Sequence, residues 1–247
     1  MIASISATTL RRSDGPLYRQ AADHLRRAIV SGTLHVGNEL PTEAELASGF
    51  GISLITLRHA LRDLESEGLI RKRAAKAAIV TATTPPARPL NSLEDIVAGT
   101  EDAHLEITDW RRRRSPEAAA VFGQPENVAL HCLRGRLLVK GAPFSAITIF
   151  FPPDIGKRLT LADFDDVVVF RAVERRLGLR VAGAHVTVGA EAADAELAGI
   201  LGIAEGAPVL VNRFLYRAED GSPVELTIAR HRADRYSLAY EFRNGLR

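Results

Sequence analysis

PLYRQAADHLRRAIVSGTLHVGNELPTEAELASGFGISLITLRHALRDLESEGLIRKR, residues 16–73, decides the fold of the first third of the chain. Leu17, Ala21, Leu25 and Ala28/Ile29 recur at helical spacing and predict a helix over 17–31, with Pro16 at its start and Gly32 as its stop. GTLHVGNELP is too short and Gly-rich for another helix. Thr42 then opens a capping box with Glu45, because a threonine hydroxyl and a glutamate three residues on can satisfy each other's backbone N–H groups. The short helix EAELASGF ends at Gly51. Ser53 is the next N-cap, and Leu57, Ala60, Leu61 and Leu64 form the buried stripe of a helix running to about Glu67, with Gly68 beyond it. LIRKR and AAIVTAT, separated by AAK, read as a β-hairpin. Helix, helix, glycine turn, helix, hairpin is the order of a winged helix-turn-helix.

Outward from this block, TTPPARPLN (83–91) carries three prolines and no periodicity, and is expected to be a linker. The expected division is a winged helix-turn-helix over 14–82, the linker 83–91, and a second domain over 92–247. In that domain strand patterns cover 104–114, 128–139, 143–151, 181–189, 208–218 and 223–231, and helix patterns 116–122, 167–178 and 193–201. The fold class is therefore α+β, the second domain being a mostly antiparallel sheet with helices packed on it. An internal repeat points the same way: 122–144 resembles 201–224, with Gly123, Glu126, Arg134 and Pro143 matching Gly202, Glu205, Arg213 and Pro223. Two such units are expected to face each other around a pocket, provided that their hairpins share one sheet.

Composition sets the class. The chain has 247 residues, 46% hydrophobic and 25% charged, an average globular mix. No apolar run reaches the ~20 residues of a membrane helix, and the N-terminus has no signal-peptide core. The one cysteine, Cys132, rules out an intrachain disulfide and fits the cytoplasm; its expected role is a small buried strand residue. The net charge of +2 is uneven: residues 1–81 hold 11 Lys+Arg against 8 Asp+Glu, the rest 21 against 22. A basic small domain beside a neutral larger one is compatible with nucleic-acid binding.

A recognition helix reads base edges from its N-terminal turn. With 57, 60, 61 and 64 facing inward, Leu54, Ile55, Arg58, Arg62 and Glu65 face outward. Arg58 is the candidate for a bidentate guanine or phosphate contact, and Ser53 and Thr56 are candidate phosphate donors at the positive helix end. Arg71, Lys72, Arg73 and Lys76 line the hairpin. These residues resemble the N-terminal domain of the GntR superfamily through PLYxQ, LPTExELA, GxSxxTxR and ALxxLExEGLI, covering about 16–73. The resemblance implies dimeric binding to an operator of two half-sites. The candidate DNA-contacting set is Thr42, Ser53, Leu54, Thr56, Arg58, Arg71, Arg73 and Lys76. Two departures stand out: Leu54 occupies a position usually arginine, and Ala75, Ala77, Ala78 and Ile79 replace a glycine-bearing hairpin tip. They lead us to expect altered operator preference or weaker DNA affinity.

Residues 88–243 resemble the UTRA effector module of the HutC subfamily through LRGRLLVKGAPF, LGIAEGAPVLVNRFLYRAEDGSPVE and ARHRADRY. That fold is similar to chorismate lyase, and the resemblance implies binding without turnover. It assigns effector contacts to Ser92, Arg134, Arg136, Phe170, Glu225 and His231, with the Arg-x-Arg pair taking an anionic group. Ile147, Val168 and Phe170 stand where sugar-phosphate binders carry acid and hydroxyl groups, so a less hydroxylated acid is the expected effector. Four arginines at 111–114 read as a solvated strand edge.

No phosphate loop, HExxH, Cys-x-x-Cys or Gly-x-Ser-x-Gly supports an enzyme. No cofactor or metal is expected. The expected protein is a cytoplasmic, homodimeric DNA-binding regulator, most simply a repressor, controlled by a small-molecule effector and without a membrane partner. The alternatives are a degenerate member with weak DNA binding and, further off, a lyase-like enzyme.

Overall fold

Apolar spacing and caps build the N-terminal helices in the expected places. A computed structural model of the chain describes residues 10–73, 76–84, 87–90, 92–98, 100 and 103–240. Helix α1 spans Leu17–Val30 and buries Ala21, Leu25 and Ile29. Helix α2, Glu43–Phe50, starts with the complete Thr42/Glu45 capping box and ends at Gly51 in the left-handed conformation, which costs a glycine no Cβ clash. Helix α3, Leu54–Ser66, is capped by Ser53, whose Oγ accepts from the Thr56 amide at 3.2 Å. Leu57, Ala60, Leu61 and Leu64 are its buried stripe. Strands β1 (Ile70–Arg73) and β2 (Lys76–Val80) pair antiparallel as the wing, and Glu39 bridges to Ile79 beside them. Arg26 is an exception to the apolar core. It is 1% exposed and donates to both carboxylate oxygens of Glu67 at 2.6 and 2.7 Å, tying α1 to the end of α3.

The chain divides into two compact units, Met1–Ala87 and Arg88–Arg247. Within the expected linker the structure has a short strand, β3 (Ala87–Pro89), paired with β10 (Ser237–Ala239). Proline is tolerated at such an edge, where no ladder donor is required. Helix α4 (Leu93–Ala98) follows, too short for its periodicity to be read in the sequence.

The second unit is built on one six-stranded antiparallel sheet in the order β4-β5-β6-β9-β8-β7. The strands are β4 Ala103–Arg114, β5 Ala129–Val139, β6 Ala142–Phe151, β7 Val181–Ala192, β8 Pro208–Ala218 and β9 Pro223–Arg232. Helices α5 (Pro116–Val121), α6 (Pro153–Gly156), α7 (Val169–Leu177) and α8 (Ala195–Leu201) complete it. Both repeat hairpins, β5-β6 and β8-β9, lie in this one sheet, with β6 paired to β9 at its centre. The strand order therefore reads the same outward from the centre in both directions.

Side chains alternate across the sheet. One face carries Leu133, Ile147, Ile149, Phe214, Tyr216 and Ala229 and packs with α7 around Phe170 and Val173. The other carries Leu130, Cys132, Val211, Leu226 and Ile228 and packs with α5 and α8. Gly135 serves the close approach of β4 and β5 at the bulge between Ile107 and Asp109, since a Cβ there would meet the Glu106 carbonyl at 2.6 Å. The arginine run lies on the edge strand β4. Arg111 and Arg113 both pair with Asp109, and Arg112 donates to the Ala129 carbonyl.

Candidate functional site

Two surfaces, one in each unit, gather the residues singled out from the sequence. In the N-terminal unit the first turn of α3 opens outward. Leu54 is 44% exposed and Ile55 78% exposed. Ser53 Oγ lies 2.8 Å from Thr56 Oγ1, so the two hydroxyls stand together at the positive end of the helix. Thr42, Arg58, Arg73 and Lys76 line one groove between α2, α3 and the wing, and Lys72 joins them. Arg58 reaches Glu43 at 2.7 Å, an exposed pair of the sort that contributes little and yields readily to a phosphate. Arg73 is held by Glu39 and by the Ala77 carbonyl. Arg71 and Lys76 are exposed. Of the alanines that replace the usual wing tip, Ala75 lies outside the described residues.

In the second unit the α7 face of the sheet holds a cavity of about 110 Å³, on the order of the ~150 Å³ apolar cavity that takes up benzene. Strand β9 supplies Glu225, Thr227, Ala229 and His231, alternate residues that point to one face. Strand β8 adds Phe214 and Tyr216, β6 adds Ile147 and Ile149, and α4 adds Asp95 and Ile96. Three of the sequence-derived effector residues, Phe170, Glu225 and His231, line this cavity. Ser92 does not. Its Oγ accepts from the Asp95 amide at 3.2 Å, so it starts the helix that presents Asp95.

Arg134 and Arg136 do share one strand face, but it is the face opposite the cavity. They sit with Cys132 on the α8 side of β5, whereas Leu133 and Leu137 point into the cavity face. Each arginine already has a carboxylate: Arg134 meets Glu196 at 2.6 Å and Arg136 meets Glu106 at 3.1 Å. Arg230 and Arg213 lie on the same face and share Glu191, and Arg213 also bonds Glu117 at 2.7 Å. Period-two alternation puts Arg134 and Arg136 on one face, but alternation alone does not say on which face the cavity lies.

Glu225 is the most unusual group in the cavity. It is 1% exposed; Oε1 accepts from Thr227 Oγ1 at 2.9 Å, and Oε2 has no hydrogen-bond partner among the described residues. Burial pushes its carboxyl up to about 8, because charge is costly in a dry site. Tyr216, opposite it on β8, is raised well above its ordinary range by burial and by the neighbouring carboxylate. His231 shares a hydrogen bond with Ser145 and stacks on Tyr236 at 3.8 Å. The Tyr236 hydroxyl in turn accepts from Asn212 Nδ2 at 2.8 Å. The His231 ring is thus clamped at the end of the cavity. Sequence reasoning missed Tyr216, Thr227, Tyr236 and Asp95; Thr227 was within reach, since it alternates with the named Glu225 and His231 on one strand.

Cys132 is fully buried, and burial pushes its thiol up to about 12, which suits an inert packing residue. Among the described residues no helix is long and apolar enough to cross a membrane.

Residues 104–237 match the UTRA domain, and residues 17–80 match the gntR family of bacterial regulatory proteins. The chain is 28% identical over 246 residues to the HTH-type transcriptional regulator Rv0792c of Mycobacterium tuberculosis, covering 95% of this chain and 90% of that protein. It is 27% identical over 238 residues to the HTH-type transcriptional repressor NagR of Bacillus subtilis, covering 93% and 96%. In fold it is similar to the crystal structure of PhnF from Mycobacterium smegmatis, with a TM-score of 0.56, 21% identity and coverage of 90% and 99%.

Proposed function

The chain belongs to the gntR family of bacterial regulatory proteins and carries a UTRA effector-binding domain, and from that premise we propose that it represses transcription by occupying an operator and leaves it when a small molecule fills the cavity of the second unit. The observation that carries this is the cavity itself, largely apolar and holding one buried carboxyl with an open oxygen. It stands in a unit separate from the capped, outward-facing turn of α3.

In this reading a cytoplasmic homodimer presents two α3 helices to half-sites about one or two DNA turns apart. Leu54 contacts a thymine methyl, Arg58 a base edge or phosphate, and Thr42, Ser53, Thr56, Arg71, Arg73 and Lys76 hold the backbone. Phe170, Glu225 and His231 contact the effector directly, and Ser92 acts through the helix it caps. The anionic effector expected from Arg134 and Arg136 finds no cation among the described residues that line the cavity, so that expectation is not carried forward. No catalytic step is assigned.

Selection of binding sites from a genomic fragment pool, followed by a salt titration, tests the proposal. A two-half-site sequence should emerge, with affinity falling about 10³-fold from ~50 to ~200 mM salt if some six phosphates are neutralised. A second reading, a member with weakened DNA binding, is favoured by the exposed Leu54, at a position where arginine is usual. Failure to enrich any sequence at low salt would establish that second reading.

A further inference from the structure

The charge class of the effector can be argued from what surrounds it, resting on the assignment of the β9-lined cavity as the effector site. Among the described residues lining that cavity there is no arginine or lysine; the ionisable ones are Asp95, Tyr216, Glu225, His231 and Tyr236. The cations of the sheet, Arg134, Arg136, Arg213 and Arg230, lie on its other face, each against a glutamate. A bound carboxylate or phosphate would therefore lose its water and gain no counter-charge, which is strongly unfavourable in an apolar site.

We propose that the effector is a compact apolar amine, received with its nitrogen on Glu225 Oε2 and its carbon body among Phe144, Phe170, Phe214 and Tyr216. Glu225 Oε2 is buried, lacks a hydrogen-bond partner among the described residues, and belongs to a side chain whose other oxygen is already anchored by Thr227. An unpartnered buried acceptor of this sort is costly to leave unsatisfied. An N–H donor from the ligand satisfies it. The ring faces of Phe170 and Tyr216, 4.8 Å apart, and of Phe214, 5.9 Å from Tyr216, offer the negative quadrupole that a nearby ammonium prefers.

The proton balance is simple. Burial holds the empty site's carboxyl up near 8. A neutral amine that enters takes the Glu225 proton, leaving an ammonium–carboxylate pair; an amine that arrives protonated releases the Glu225 proton to water. Tyr216 lies opposite Glu225 on β8, Thr227 and His231 lie on the same face of β9, and Asp95 lines the cavity from α4; among the described residues none of the lining groups is a fixed cation. A carboxylate ligand could accept a hydrogen bond from protonated Glu225, but among the described lining residues no arginine or lysine would compensate its charge.

The test uses the full chain and three probes of one size and shape: phenethylamine, phenethyl alcohol and hydrocinnamate. Affinity is measured by calorimetry, and occupancy of the cavity by the methyl resonances of Ile147 and Ile149. The amine should bind at least about tenfold more tightly than either other probe, and in Glu225→Gln the amine and the alcohol should bind within about twofold of each other. If hydrocinnamate matches or exceeds the amine, or if alcohol and amine are equal, the amine proposal is wrong, while shifts at Ile147 and Ile149 would still mark the cavity as a ligand site. If no probe moves either methyl, the cavity does not receive compact apolar molecules, and both the proposal and the site assignment fail. Should Glu225→Gln not fold, the ranking of the three probes on the unmodified chain decides alone.

Discussion

Glu225 turns a buried carboxyl into a measurable property of the fold. Unfolded, it titrates near the ordinary ~4.3; folded, it titrates near 8. Between these values the folded state holds a proton that the unfolded state has lost. Its contribution is therefore complete at low pH and is lost as pH rises towards 8, with a slope on the order of 1 kcal/mol per pH unit. Denaturant titrations followed at Trp110, the only tryptophan and packed against the core of this unit, should show that decline, and Glu225→Gln should flatten it. An identical pH dependence in the two proteins would contradict the buried, protonated carboxyl. The arginines tell a different story at the same scale. Arg134 reaches Glu196, and its repeat counterpart Arg213 reaches Glu117, so each half of the sheet grips the helix of the other. Arg134→Met should thus leave binding in the cavity within about twofold and cost about 1 kcal/mol of stability. A loss of effector affinity without a change in stability would return Arg134 to the ligand.

Among the elements, α3 is the one whose chemistry departs from its pattern. Its cap and buried stripe follow the sequence reading, yet its first turn presents Leu54 and Ile55 to solvent. Leu54→Arg should tighten DNA binding and steepen the salt dependence by about one phosphate contact, seen as a change near one in the slope of log affinity against log salt. Unchanged slope and unchanged sequence preference would show that position 54 does not meet DNA. Helix α1 carries the other test. Arg26→Met leaves Glu67 without its partner, and should lower the stability of the N-terminal unit by ~3 kcal/mol, read as an earlier helical melting transition. Caps, glycine stops and long alternating runs made most elements legible from sequence. Arg26 was not legible, because a charged residue on a helix is usually solvated and nothing local announces that Glu67 folds back over it. Strand β3 was missed for a related reason: its partner, Ser237–Ala239, lies at the far end of the chain.

At the scale of the whole chain, the two compact units each bury their own core. A fragment of residues 88–247 should fold cooperatively and bind phenethylamine as the full chain does, checked by calorimetry on both; loss of binding in a folded fragment would mean that the N-terminal unit completes the site. The division of labour was legible in the charge imbalance and the repeat. The face of the sheet that holds the cavity was not, because it is chosen by α4 and α7 closing over one side. The near-mirrored strand order has a consequence for how a molecule sits there. A site with true two-fold symmetry accepts an asymmetric guest in two equivalent poses. Here the repeat carries Ser145 onto Glu225, and Ser145 is spent on His231 while Glu225 keeps an open oxygen. The cavity therefore has a head and a tail, and an asymmetric guest would meet it in a single orientation.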